Sequence, residues 1–451
     1  MIPVPQRITT LVSKLNESIN KSNMIIGEAW KSYFSLENNE KVKAWGAFKV
    51  ASYDPSSSPK FFTEEKGKNA YKVISDEIIR KLGDIKTDPD NIEKWMSLGF
   101  SYHYIGDFSN SFSCFSKLYI ENNLQKRDSY SILCFACLNH YFGLYDEAIK
   151  LYKVACERID MEQIRSDIIF RLALACRSIG DYSNSIKFLQ QVYDHPPKNL
   201  ESDDILFQIG YTYQSASKFS EAFTVYFDLY NRFSTNMSII YQTTWFLSMD
   251  LGTTKIENAD EIFKKEINRF PNDHKIQFSY GRFLMRQGLF KDSHQIFRNC
   301  LMLMSEEPVF WFTIGNQYLE NHQFDDAITS YQRMLHLKSD IEDAWVNMSL
   351  AQISQGYKEK AIGSLTQGLK YCESSMIINE ILQRFSQTNI GKIPKSYECV
   401  NGFKNFQDVD RIAQNYIETP PLIPLSYIVT NEGGMKTVEC VRVQPHSFIN
   451  V

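Results

Sequence analysis

Residues 95–115 read WMSLGFSYHYIGDFSNSFSCF, and residues 309–331 read VFWFTIGNQYLENHQFDDAITSY. Trp95, Leu98, Gly99, Tyr102, Phe108 and Phe115 of the first stretch recur in the second as Trp311, Ile314, Gly315, Tyr318, Phe324 and Tyr331, at the same spacings. Ser111 in the one is Ala327 in the other. Carried outward, the register gives eight units beginning near residues 92, 129, 166, 203, 240, 274, 308 and 342, with four steps of 37 residues followed by three of 34. A glycine recurs before the turn (Gly106, Gly143, Gly180, Gly288 and Gly356), and prolines close units at Pro197 and Pro271. The unit starting at 240 loses the glycine from its first helix, YQTTWFLSMDL, but Ala259, Phe263 and Pro271 keep its register.

The physical content is a pair of antiparallel helices. Small residues let the two backbones approach, and large residues at 3–4 spacing form a stripe that packs on the next pair. One pair cannot bury its stripe alone, whereas stacked pairs bury it continuously. The residue pattern resembles the tetratricopeptide repeat (TPR). That resemblance implies an all-α chain, a right-handed TPR superhelix (an α-solenoid) of eight clear helix pairs over 92–375. Residues 1–91 are expected to form a divergent helical N-terminal cap, with helical stripes over 8–37 and 62–83 broken by DPSSSP at 54–59. Residues 376–451 are expected as a short non-TPR extension. There, Val409–Tyr416 suggests a short helix, and PLSYIVT and KTVECVRV flank NEGG as in a hairpin. This segment is expected either to dock on the solenoid or to be a free tail.

The 451 residues are 23% charged and 43% hydrophobic with a net charge of −4. No dense Lys/Arg run marks a nucleic-acid surface. No apolar run approaches a membrane span, and MIPVPQRITTLVSKL lacks the apolar core of a secretory signal. The expectation is a chain that is neither membrane-bound nor secreted. Nine cysteines at irregular spacing suit reduced thiols better than a disulfide framework.

No sequence motif of enzyme chemistry is present: no phosphate-binding glycine loop, nucleophile elbow or HExxH. Cys134, Cys137 and His140 stand three apart on one predicted helix, and His103 holds the register place of His140 one unit earlier. A zinc ribbon needs a second cysteine pair at fitting distance, so packing is the preferred reading. The expectation is no enzyme, no cofactor and no metal. Aromatic residues, by contrast, are abundant. In TPR geometry, positions 2, 5, 9 and 12 of each first helix face the concave surface. The residues so placed include Met96, Phe100, His103, Leu133, His140, Phe170, Arg177, Phe207, Tyr211, Gln214, Phe312 and Asn316. Their apolar members are expected to form an exposed strip that serves as a partner groove, with the C-terminal tail as an internal candidate occupant. A clamp for a terminal carboxylate needs cationic donors where Met96, Phe100, Leu133 and Phe170 stand, which sets that mode aside.

Residues 166–214 read SDIIFRLALACRSIGDYSNSIKFLQQVYDHPPKNLESDDILFQIGYTYQ. This block resembles the central repeats of the TPR-type general transcriptional co-repressor of fungi, which pairs with a WD-repeat repressor, and is similar to the TPR region of UTX-type histone demethylases. The matching features are Ile169–Leu172, His195-Pro196-Pro197 and Asp204–Gly210. The resemblance implies a nuclear adaptor that binds a WD-repeat co-repressor and DNA-binding transcription factors, without touching nucleic acid or membrane itself. It carries no catalytic domain over, because no histidine here begins an H-x-[DE] pair. Alternatives are a TPR adaptor of a ubiquitin-ligase, ciliary-transport or RNA-processing complex, with cytoplasmic placement, or the docking arm of an enzyme complex.

Overall fold

Several helices begin where a short polar side chain satisfies open backbone N–H groups. Asn91, Asp128, Asn236 and Asp273 accept from the backbone of the first helical turn, at 3.0 to 3.3 Å. Seven first helices are followed by a left-handed residue at the turn into the next helix. The computed structural model describes residues 65–386, apart from 89–90, 121–127, 198–199, 234, 250–257 and 374, together with Ala413 and Ile417. The stripe expected over 8–37 and the expected hairpin lie outside the described residues, as does the expected 409–416 helix apart from Ala413, which is helical and buried.

Eighteen helices and no strand are found among the described residues, an all-α fold. None is long and apolar enough to cross a membrane. By contacts the chain divides into two units, residues 1–217 with 410–451, and residues 218–409.

The first unit contains α1 (Glu65–Thr87), α2 (Ile92–Ile105), α3 (Phe108–Ile120), α4 (Ser129–Tyr141), α5 (Tyr145–Arg158), α6 (Glu162–Ser178), α7 (Tyr182–Gln191) and α8 (Ser202–Ser215). Helix α1 occupies the stripe expected over 62–83 and packs on α2 through a face that includes buried Ile74 and Ile78. Thereafter the helices pair as α2 with α3, α4 with α5 and α6 with α7, and the first helices α2, α4 and α6 also touch one another in succession. That succession is the wall on which the candidate site stands.

The second unit contains α9 (Phe219–Arg232), α10 (Met237–Leu247), α11 (Ala259–Arg269), α12 (His274–Arg286), α13 (Phe290–Met304), α14 (Pro308–Glu320), α15 (Phe324–Leu337), α16 (Glu342–Ser354), α17 (Lys358–Tyr371) and α18 (Met376–Ser386). Pairs α12–α13, α14–α15 and α16–α17 follow the expected register, and α18 adds a helix packed on α16 and α17. A Cβ at Gly281 would meet the Phe297 ring at 2.6 Å, and one at Gly315 would meet Tyr331 at 2.6 Å. Only glycine lets these aromatic rings lie on the partner backbone. The unit starting at 240 carries Leu247 at that register place. Its two helices do not pair as expected: α10 packs on α9 and α12, and α11 on α12. Phe263 of α11, lacking a glycine seat, lies against Tyr280 and Phe283 with ring centroids 5.3 Å apart in both cases.

The five turn glycines all have φ between 76° and 87°. Where the register has no glycine, Ser217 (φ 58°) and His322 (φ 60°) take the same left-handed turn. None of the seven described cysteines forms a disulfide.

Candidate partner-binding wall

The apolar members of the expected groove are not offered to solvent. Phe100, Leu133, Phe170, Phe207 and Phe312 are each 3% exposed or less. Phe100 lies edge-on to Phe115 with ring centroids 5.3 Å apart, and Phe312 edge-on to Tyr331 at 6.0 Å. Phe100, Phe170, Phe207 and Phe312 make further contacts besides. The open apolar strip expected from the sequence is therefore corrected to a packed one. Helical spacing defines a face but not what lies against it, and here the face is covered. Met96 is half-buried, and His103 is buried with Nδ1 3.5 Å from the Ser111 hydroxyl of its own helix pair.

Of the polar candidates in the first unit, Arg177 and Tyr211 come together. Arg177, near the end of α6, is half-buried. Its Nη1 donates to Gln208 Oε1 at 2.8 Å and reaches Thr212 Oγ1 at 3.5 Å, and its guanidinium stands 4.6 Å over the Tyr211 ring. One turn beyond Tyr211 on α8 comes Gln214, also buried. From α4, His140 places Nδ1 3.3 Å from the Tyr152 hydroxyl. Burial, joined by the like charge of Arg171 and Arg177, pushes the His140 imidazole down to about 3, so it is neutral at neutral pH. Beneath this layer Arg171 Nε donates to Asp167 Oδ2 at 2.9 Å, a buried ion pair four residues apart on α6. Burial raises the Cys137 thiol to about 11, which leaves it a packing group and not a nucleophile.

Two atoms of this layer lack hydrogen-bond partners. Gln208 Nε2 and His140 Nε2 are buried and unpaired. An unsatisfied buried polar atom costs about 1–3 kcal/mol. The sequence reading names His140 among the groove candidates but not Gln208, which stands there only as part of a DILFQIG block. Its signal was a polar residue amid an otherwise apolar run. The metal idea at Cys134, Cys137 and His140 finds no support, since no group of three potential ligands among the described residues could hold an ion.

In the second unit, Asn316 accepts at Oδ1 from the Tyr331 hydroxyl at 2.6 Å and from Asn347 Nδ2 at 2.9 Å. That network ties α14, α15 and α16 together and serves packing. Arg282 lies 3.9 Å over the Trp245 ring and is buried there.

Paired helices, glycine seats for aromatic rings and a left-handed turn at fixed register are all present. The helix pairs have the fold of tetratricopeptide repeats. No family model matches it. It is 29% identical over 116 residues to the tetratricopeptide repeat-containing protein trd-1 of Caenorhabditis elegans, covering 24% of this chain and 15% of that protein. It is 22% identical over 257 residues to the peroxisomal targeting signal receptor of Saccharomyces cerevisiae, covering 54% of this chain and 41% of that one. The chain thus matches less than half the length of either curated relative. Among solved structures, a TPR protein from Parabacteroides merdae is similar at 13% identity and TM-score 0.49, over 57% of this chain and 99% of that one. The APC/C hetero-tetramer Cut9–Hcn1 is similar at 13% identity and TM-score 0.33, over 85% and 74%.

Proposed function

We propose that this TPR chain is a non-enzymatic adaptor that holds segments of other proteins against the first-helix wall of its first unit. The observation that carries the reading is the cluster of Arg177, Gln208, Tyr211 and His140. It joins a half-buried cation on an aromatic ring to two buried polar atoms without partners. A peptide carbonyl or carboxylate arriving beside the half-buried Arg177 would accept a charge-assisted hydrogen bond from its guanidinium. The name of the yeast relative, a receptor for a targeting signal, supports recognition of a polypeptide segment.

The finer reading is a nuclear co-repressor subunit that links DNA-bound factors to a WD-repeat partner. It rests on the likeness of residues 166–214, which take in most of α6, all of α7 and most of α8 and carry Arg177, Gln208 and Tyr211 of the cluster. The test is purification of tagged chain from cells, with partners identified and the chain located by imaging. Recovery of a WD-repeat protein and DNA-binding factors from nuclei, lost on Arg177→Glu with unchanged melting, is the expected result. Stable recovery of other complexes from cytoplasm would overturn the co-repressor reading while keeping the adaptor. Binding that ignores Arg177→Glu would remove the wall from the proposal.

A further inference from the structure

The three regular second helices of the second unit end in exposed apolar side chains. Leu303 of α13, Leu337 of α15 and Tyr371 of α17 stand thirty-four residues apart, so each holds the same place in its helix pair. They are 64%, 37% and 50% exposed, and Met302 beside Leu303 is 86% exposed. Packing does not require them. The buried faces of these helices are made by Phe297, Cys300 and Met304, by Tyr331 and Met334, and by Leu365. The place corresponding to Leu303 one unit earlier is Arg269, so the row begins at Leu303. Tyr371 is held in position by stacking on Trp345, ring centroids 5.9 Å apart and planes within 7°.

An acidic rim follows the row. The loop after Leu303 carries Glu306 and Glu307, and the segment after Leu337 carries Asp340, Glu342 and Asp343. The turn after Tyr371 carries Glu373. Lys338 and Lys370 are the cations in the same segments, so acid predominates. The rims of neighbouring pairs adjoin: Ser375, just past α17, donates to Glu342 at 2.5 Å. Burial, then Glu342, Asp340 and Asp343, raise the Cys372 thiol to about 11.

We propose that this row is a docking surface for a basic amphipathic helix of a partner protein. Its apolar stripe would seat on Leu303, Leu337 and Tyr371, with its Lys and Arg residues along the acidic rim. An exposed apolar row with a charged border is the form of an interaction surface. A helix is the element that segregates apolar and basic residues onto adjoining faces, and helix docking on an apolar surface is a recurrent mode. A second copy of the chain would bring acid against acid. An anionic lipid surface or a nucleic acid would meet the same repulsion.

The test uses the full chain and a fluorescent synthetic helix of Leu and Lys with Leu at i, i+3, i+4 and i+7 spacing, measured by anisotropy. Two further probes are a scrambled peptide of equal composition and a Leu/Glu helix. Expected is binding of the Leu/Lys helix that weakens with salt and exceeds that of the scrambled peptide. Leu303→Glu with Leu337→Glu should weaken it at least about tenfold without lowering the melting temperature. Glu306→Lys with Glu307→Lys and Asp340→Lys should shift preference toward the Leu/Glu helix. Arg177→Glu should leave it unchanged, which separates this surface from the wall of the first unit. No binding by the wild-type chain, equal binding of the Leu/Glu helix, or equal binding by the Leu303→Glu/Leu337→Glu chain would each overturn the proposal.

Discussion

The contact between a glycine and an aromatic ring sets the repeat, and replacing Gly315 by Ala tests it directly. The new Cβ would stand 2.6 Å from Tyr331 Cε1 and 2.9 Å from Cδ1 and Cζ. Carbon atoms rest at about 3.5–4.0 Å, so the ring must retreat by about 1 Å. Tyr331 has little freedom to do so. Its hydroxyl donates to Asn316 at 2.6 Å, and Asn347 donates to the same oxygen at 2.9 Å. Overpacking of this kind costs about 1–3 kcal/mol, and loss of the tyrosine hydrogen bond adds about 1 kcal/mol. Against this, Ala gains about 1 kcal/mol over Gly in a helix interior. The balance is a loss of about 2 kcal/mol. Gly363, in the interior of α17, is the internal control, because a Cβ there meets nothing within 4 Å. Gly363→Ala should stabilise by about 0.5–1 kcal/mol. Urea titration of the full chain followed by far-ultraviolet circular dichroism reads both signs. In a Tyr331→Leu background, where the ring is gone, Gly315→Ala should cost less. A Gly315→Ala chain as stable as wild type would refute the account of how these helices pair.

Three further outcomes follow from the same geometry. His322 takes a left-handed turn at φ 60° where Gly356 serves the next unit, so His322→Gly should raise the melting temperature by an equivalent of about 0.5 kcal/mol and Gly356→Ala should lower it by about 1 kcal/mol. His140, held at about 3 against an ordinary 6.5, favours the fold fully above pH 6.5 and loses that contribution as pH falls toward 3. Between pH 7.5 and pH 5 this amounts to about 2 kcal/mol, and His140→Gln should flatten the wild-type loss by that amount in urea midpoints measured at the two pH values. Buried Lys81 donates to Ser101 at 2.8 Å and is lowered to about 8 chiefly by burial. Its contribution is full above pH 10.5 and falls as pH drops to 8, so Lys81→Met should raise stability at pH 7 relative to wild type and narrow the gap toward pH 10, as thermal melts at both pH values would show.

The register was legible because contact geometry forces it. The ring positions Phe297 and Tyr331 require Gly281 and Gly315 sixteen residues earlier, and such a pair can be read without a structure. The same logic made the unit at 240 look weak, and Leu247 in the glycine place is where the helices fail to pair. The exposure of the wall was not legible. Phe100, Phe170 and Phe207 occupy a face that the helical period identifies, but the period is blind to what covers it. Gln208 was hidden for a related reason: its value lies in an unpaired Nε2 set by Arg177 thirty-one residues away. Leu303, Leu337 and Tyr371 were hidden in the opposite sense, since apolar residues at helix ends read as part of the core stripe until their exposure is known.

The two surfaces differ in chemistry in a way that bears on function. The wall of the first unit offers a cation, buried amides and an imidazole kept neutral, a set suited to an acceptor-rich or acidic segment. The row in the second unit offers exposed apolar side chains with an acidic border, suited to a basic one. A ligand matched to either is mismatched to the other by charge, and like-charge contact is a strong discriminator against the wrong partner. If both proposed surfaces bind, one chain with two surfaces of opposite preference would join two different proteins. If Arg177→Glu and Leu303→Glu/Leu337→Glu each remove a different partner and spare the other, the chain is a bridge. If either variant removes both, the two surfaces serve a single ligand and the adaptor reading fails.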